Sequence, residues 1–318
     1  MSYLDNLLFA LSVTAPIFLV MGTGWLLRRI GWITEDFEEV GSRLVFKLAL
    51  PALILTSLVD LDLSSTMNAQ HLGYGVAATL ASFFLLWFIS AWWPGSGPDR
   101  GVFVQGAFRG NLGIIGLAVC ASLYGKSGLA MGSILLAGMT LFYNILSVFA
   151  LQAASGRGQT SWRHVTLGII KNPLIISILS GLVIAALKIP VPKLLLTSAA
   201  YFGQMTLPLA LLCVGATLTL GALRHGSIPA LIAVLVKLVL LPVILTGGAI
   251  AFGFDFNATE LGTLFAMFAA PTATVSYVMA RSMGGNHQLA ANIVALSTLL
   301  APITLSIGIY LLRSLALI

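Results

Sequence analysis

Gln105-Gly-Ala-Phe-Arg109-Gly110-Asn111-Leu-Gly113-Ile-Ile-Gly116 lies inside a long apolar run, and its polar residues do not belong there. A cation at mid-membrane costs about 2.5–3.5 kcal/mol on insertion scales. Glycine weakens a helix by up to about 1 kcal/mol relative to alanine, and asparagine weakens it too. Together they predict a broken helix that lines a cavity, because irregular backbone survives in lipid only where protein or water covers it. The same place recurs 160 positions later, in Ala269-Ala-Pro271-Thr272-Ala-Thr274, with Pro271 on Asn111. A proline there removes a donor and clashes with the preceding turn. Two interrupted helices meeting at mid-membrane would bring half-helix N-termini together. Those positive dipole ends suit a carboxylate. The alternative is two kinked helices packed on glycine, with Arg109 snorkelling to water.

The recurrence extends along the chain. At an offset of 157, Pro16 falls on Pro173, Gly24 on Gly181 and Pro51 on Pro208. At an offset of 160, Phe108 falls on Phe268, Gly125 on Gly285 and Leu129-Ala130 on Leu289-Ala290. One small insertion accounts for the change. A doubled apolar chain of this kind is the sequence signature of transporters with internal repeats.

Of 318 residues, 58% are hydrophobic and 8% are charged, too few charges to cover a water-facing surface. The fold expected is all-α and integral to the membrane, since the apolar runs are continuous rather than alternating. Ten spans are read: roughly 4–27, 37–58, 72–93, 102–123 and 128–153, then 166–187, 194–220, 228–252, 259–281 and 288–312. Five spans per half is an odd number, so the second half enters from the opposite face and the repeats are inverted. The units are 1–153, a small polar linker over 154–164, and 165–318. The odd-numbered loops carry Arg28, Arg29, Arg100, Arg157, Arg163, Arg224 and Arg281, against Lys126, Lys188, Lys193 and Arg313 on the other side. That places both termini outside the plasma (bacterial inner) membrane. Trp92, Trp93 and Trp162 read as interfacial anchors.

The excess of basic residues is spread over short loops, which argues for topology and against nucleic acid. Cys120 and Cys213 lie in apolar segments with no metal-ligand spacing, and no enzyme motif, metal site or cofactor site is read. No Asp or Glu falls in the core of a span, and His71, His164, His225 and His287 fall at span ends. The deep charges are Arg109 and Lys237, so the expected solute is an anion. Candidate substrate contacts are Asn111, Arg109, Pro271, Thr272, Thr274, Asn144, Gln105, Tyr277 and Lys237. Lys237, nine residues into its span, lies some 13 Å deep at about 1.5 Å per residue, and either snorkels or touches the ligand. Asn144 either faces the cavity or bonds a neighbouring helix. Gly110, Gly113 and Gly116 are read as crossover residues, the last two letting helices approach, and Pro51 and Pro208 as structural, Pro208 with Gln204 marking a local break.

Several stretches resemble the auxin efflux carrier family. Lys47-Leu-Ala-Leu-Pro-Ala-Leu-Ile-Leu55 is similar to its second-span motif and Phe108–Gly116 to its fourth, with Asn111 at the family's asparagine. Leu207-Pro-Leu-Ala-Leu-Leu-Cys-Val-Gly215 and Lys237-Leu-Val-Leu-Leu-Pro242 resemble the seventh and eighth. Ala269–Thr274 and Ser297-Thr-Leu-Leu300 resemble the ninth and tenth. The resemblance implies crossed, broken fourth and ninth helices and a homodimer. It also implies a scaffold of spans 1, 2, 6 and 7, and a transport unit of spans 3, 4, 5, 8, 9 and 10 moving as an elevator. It assigns substrate-site roles to Asn111, Pro271 and Asn144. Bacterial members of the family are commonly assigned malonate or other small carboxylates, and plant members export indole-acetate. Gly110 departs from the proline of plant relatives, and their long cytoplasmic loop is absent.

The function expected is secondary transport of a small organic anion within the lipid bilayer, with the coupling ion left open. Two other readings stand beside it. One is a sodium-coupled symporter of the bile-acid-carrier type, and the other is a membrane sensor that binds without transporting.

Overall fold

A computed structural model describes residues 3–59, 68–92, 97–155, 167, 171–218 and 227–318. The loop residues Arg157, Arg163 and Arg224, the 156–164 part of the linker, His164, His225, Trp93 and Trp162 lie outside the described residues. Among the described residues the chain is helical, with one isolated β-bridge and no strand. Among the described residues seven helices are long and apolar enough to cross a membrane. Pro173–Ala186 and Ala258–Ala269 are shorter apolar helices.

The order of elements is α1 (Tyr3–Arg29), α2 (Glu35–Leu44), a π-turn (Val45–Ala49), α3 (Leu50–Val59), α4 (Ala69–Ile89), α5 (Gly97–Phe108), a second π-turn (Leu112–Gly116) and α6 (Leu117–Ser155). It continues with α7 (Pro173–Ala186), α8 (Lys193–Ala216), α9 (Ile228–Leu235), a third π-turn (Val236–Leu240), α10 (Leu241–Ala251), α11 (Ala258–Ala269), α12 (Val275–Ser282) and α13 (His287–Ser314). α6 doubles back at Gly125, whose φ of 58° belongs to the left-handed region that favours glycine. This is the turn expected between the fourth and fifth spans. Asparagine side chains at 68, 172, 257 and 286 cap helix starts and satisfy leading N–H groups there.

α8 packs on α1 and on α3, and α3 packs on α7. The contact between α1 and α8 is backbone on backbone. A Cβ on Gly24 would lie 2.2 Å from the Leu212 carbonyl oxygen, and one on Gly215 would lie 1.9 Å from that of Met21. Only glycine fits at either place. α4, α5, α6 and α9–α13 pack together beside them. Pro208 lies on an exposed face of α8, which runs through it without the break the sequence predicts.

Two polar side chains are more buried than their places at span ends imply. Glu260 and His71 are 5% and 4% exposed. The Glu260 carboxylate accepts from Asn68 Nδ2 at 2.8 Å and the Asn257 N–H at 2.9 Å. His71 Nε2 bonds the Glu260 carbonyl at 3.0 Å, so this nitrogen carries the proton. These bonds fasten α4 to the start of α11.

Candidate functional site

The chain leaves helix at Phe108 and resumes at Leu112. It leaves helix again at Ala269 and resumes at Val275. The two extended pieces cross as an antiparallel bridge between Gly110 and Thr272. The Asn111 N–H donates to the Pro271 carbonyl at 2.6 Å, and the Ala273 N–H to the Arg109 carbonyl at 3.3 Å. Backbone groups freed by each break are thus satisfied by the other, which is what buried irregular backbone requires. Thr272 adds two stitches: its N–H donates to Ser297 Oγ at 3.1 Å and its hydroxyl to the Gly106 carbonyl at 2.7 Å.

Arg109 is 6% exposed. Its Nη2 donates to Asn144 Oδ1 at 2.9 Å, and its Nη1 to Ser147 Oγ at 3.1 Å, to the Tyr143 carbonyl at 3.3 Å and to Met279 Sδ at 3.3 Å. These contacts hold Arg109 in the interior rather than extended to the surface. Asn144 serves as its acceptor. Ser147, one turn along α6 from Asn144, was legible from that i, i+3 spacing. Met279 carried no signal in the sequence.

Lys237 lies in the third π-turn and is 2% exposed. Its Nζ donates to the Phe268 carbonyl at 2.8 Å, in the last turn of α11, where a cation complements the helix dipole. An ammonium has three donors, and the other two have no acceptor among the described residues. Lys237 also flanks the crossing: a Cβ on Gly110 would lie 3.2 Å from its Nζ and 3.3 Å from the Ala270 carbonyl oxygen. A Cβ on Gly116 would lie 3.0 Å from Met267 Sδ of α11, whereas one on Gly113 would make only ordinary contact with Leu50.

Asn111 is 7% exposed, and its side chain caps no N–H of the turn it precedes. The leading N–H groups of that turn have no intrahelical acceptors. Gln105 is fully buried and donates to Met279 Sδ at 3.6 Å, while its Oε1 has no partner among the described residues. The buried Ser276 hydroxyl is likewise unpartnered. Tyr277 and Thr274 are half-buried at the start of α12, with the Tyr277 N–H on the Thr274 carbonyl. Pro271 is buried at the crossing, and Pro51 follows the first π-turn.

Both buried cations therefore face neutral acceptors. The ion pairs among the described residues, Arg28–Glu35 and Arg43–Glu39, lie elsewhere on more exposed side chains. Buried charges are normally paired, because an uncompensated one is costly.

A family profile described as "Membrane transport protein" matches residues 9–309. The chain belongs to this family. The family is that of the auxin efflux carriers, so the motifs point to the same place as the whole-chain match. Similar proteins align over nearly their full lengths. A Rhizobium meliloti protein named "Putative malonate transporter" is 27% identical over 313 residues, covering 95% of this chain and 96% of that one. An uncharacterized transporter of Methanothermobacter thermautotrophicus is 24% identical over 299 residues, covering 92% and 95%. An uncharacterized transporter of Methanocaldococcus jannaschii is 22% identical over 297 residues, covering 91% and 94%. This member of the membrane transport protein family is accordingly a multi-pass membrane transporter.

Proposed function

We propose that the protein is a secondary transporter of a small organic anion, with the carboxylate received at the crossing of the two broken helices. The observation that carries this is the pair of buried cations, Arg109 and Lys237, on either side of one bridge without an acidic partner. Lys237 supplies unfilled donors, the Asn111 side chain an unfilled amide, and the leading N–H groups of the Leu112–Gly116 turn a dipole end. Arg109, already committed to four neutral acceptors, raises the local potential rather than reaching for the ligand. Malonate is the first substrate to try, since the Rhizobium meliloti relative is named for it.

The wider reading is ten spans in two inverted repeats of 1–153 and 165–318, a homodimer in the bacterial inner membrane, and both termini outside. α1, α2–α3, α7 and α8 form the scaffold in it, and the remaining helices carry the crossing past them as an elevator. The packing of α8 on α1 and α3, and of α3 on α7, supports this division, and so does the closeness of the two breaks to one repeat offset.

Flux of labelled malonate and other small carboxylates into vesicles bearing the purified protein tests the assignment. Asn111→Ala should lower flux at least about tenfold, the worth of one hydrogen bond to a charged group, and leave the melting temperature unchanged. Wild-type vesicles that move no carboxylate, or an Asn111→Ala protein as active as wild type, would overturn it.

A further inference from the structure

We infer that the seam between the first and last helices holds one anionic phospholipid, its acyl chain between the helices and its phosphate on Arg29. α1 and α13 run antiparallel and are clasped along one half of their length. Asn6 Nδ2 donates to Ser314 Oγ at 3.2 Å, Thr14 and Ser306 share a hydroxyl bond at 2.7 Å, and the Arg313 guanidinium covers the Phe9 ring at 3.6 Å. Beyond Thr14 the clasp ends. A cavity of about 250 Å³ opens there, where Phe18, Gly22 and Trp25 of α1 face Leu299 and Pro302 of α13. Pro302, inside α13, is one of the residues that line it. The lining is almost wholly apolar, as a fatty chain requires.

The occupant's head group is specified by what lies at the mouth. Arg29, at the end of α1, stands over the Trp25 ring with its guanidinium carbon 5.4 Å from the ring centroid. Arg28 is committed to Glu35 at 2.6 Å, whereas Arg29 is exposed and makes no ion pair with a described residue. A tryptophan with an arginine one turn on, at the end of a spanning helix, is the arrangement found at the head-group level. Trp25 and Phe18 lie about 6 and 16 Å below Arg29 along the axis, at about 1.5 Å per residue. That is the depth at which an acyl chain hangs beneath its phosphate. Basic positions beside gaps between membrane helices recognise anionic head groups in this way.

The binding stands independently of the transport reading.

Native mass spectrometry of the full chain, taken from vesicles of equal phosphatidylglycerol and phosphatidylcholine, tests the binding without any transport assay. Wild type should carry one phosphatidylglycerol in about fivefold preference, the worth of one interfacial arginine. Arg29→Gln, at an exposed position, should carry one lipid with no preference. Gly22→Phe should carry none: a Cβ there meets nothing within 4 Å, so the ring enters the cavity rather than the backbone. Equal retention of the two lipids by wild type would overturn the inference, as would a preference that survives Arg29→Gln. A folded Gly22→Phe protein that retains lipid as wild type does would also overturn it. If Gly22→Phe fails to fold, the comparison of wild type with Arg29→Gln decides.

Discussion

Two π-turns in this molecule share one design and differ in one respect. Val45–Ala49 holds Lys47 and precedes Pro51; Val236–Leu240 holds Lys237 and precedes Pro242. In each, the N–H of the residue just before the proline reaches back five residues, from Leu50 to Val45 and from Leu241 to Val236. Widening the helix by one residue relieves the clash that a proline ring makes with the turn before it. The proline therefore explains the backbone in both places. It does not explain the lysines, since Lys47 is exposed while Lys237 is sealed against the end of α11. One local motif fixes chain geometry, and the neighbours it meets decide whether its charge becomes part of a site.

The comparison can be broken most sharply at Lys237. Lys237→Met should cut anion flux by about 10–100-fold, the worth of a hydrogen bond to a charged group. The melting temperature should hold or rise, because an apolar side chain of similar volume replaces a buried cation. A protein that melts earlier and still transports would reverse the assignment of Lys237 from ligand contact to structural cap. Arg109→Lys comes next. A single ammonium cannot reproduce the spread of the guanidinium fork over Asn144, Ser147, Tyr143 and Met279. Thermal unfolding should show a loss of about 1–3 kcal/mol as buried acceptors are left unpaired. Pro242→Ala should lower flux less than Lys237→Met does, by letting the turn tighten and drawing the ammonium off the Phe268 carbonyl. Pro51→Ala, at the turn whose lysine faces outward, should lower it less still. Lys47→Gln should leave both flux and melting where they are; a measurable loss would mean that the exposed turn also serves the transported ion.

The breaks at Asn111 and Pro271 were legible because glycine, asparagine and proline report backbone trouble wherever they sit. The turn at Gly125 was legible for the same reason. Lys237 could be placed at depth by counting residues, but not joined to Phe268, because that contact depends on how α10 and α11 pack across the third π-turn. Asn144 was left between facing the cavity and bonding a neighbouring helix, and its bond to Arg109 in particular was not foreseen, since distance in sequence says nothing about which acceptor a buried cation selects. Pro208 misled in the other direction. It offers no N–H to the carbonyl four residues back, but it lies on an exposed face of α8, and one missing bond there leaves the helix continuous. The burial of Glu260 and His71 was hidden because hydropathy locates the ends of spans without saying what covers them.

The clasp of α1 on α13 has a consequence for biogenesis. Asn6 and Ser314 are separated by 308 positions, so α1 is made long before α13, its mate in the clasp. Until α13 follows, Asn6 lacks the partner it has in the folded bundle, in a medium that offers it little, whereas the Thr14 hydroxyl already donates to the Ala10 carbonyl of its own helix. α13 closes the bundle onto α1 like a ring, and a chain arrested before residue 300 leaves the ribosome with that seam open.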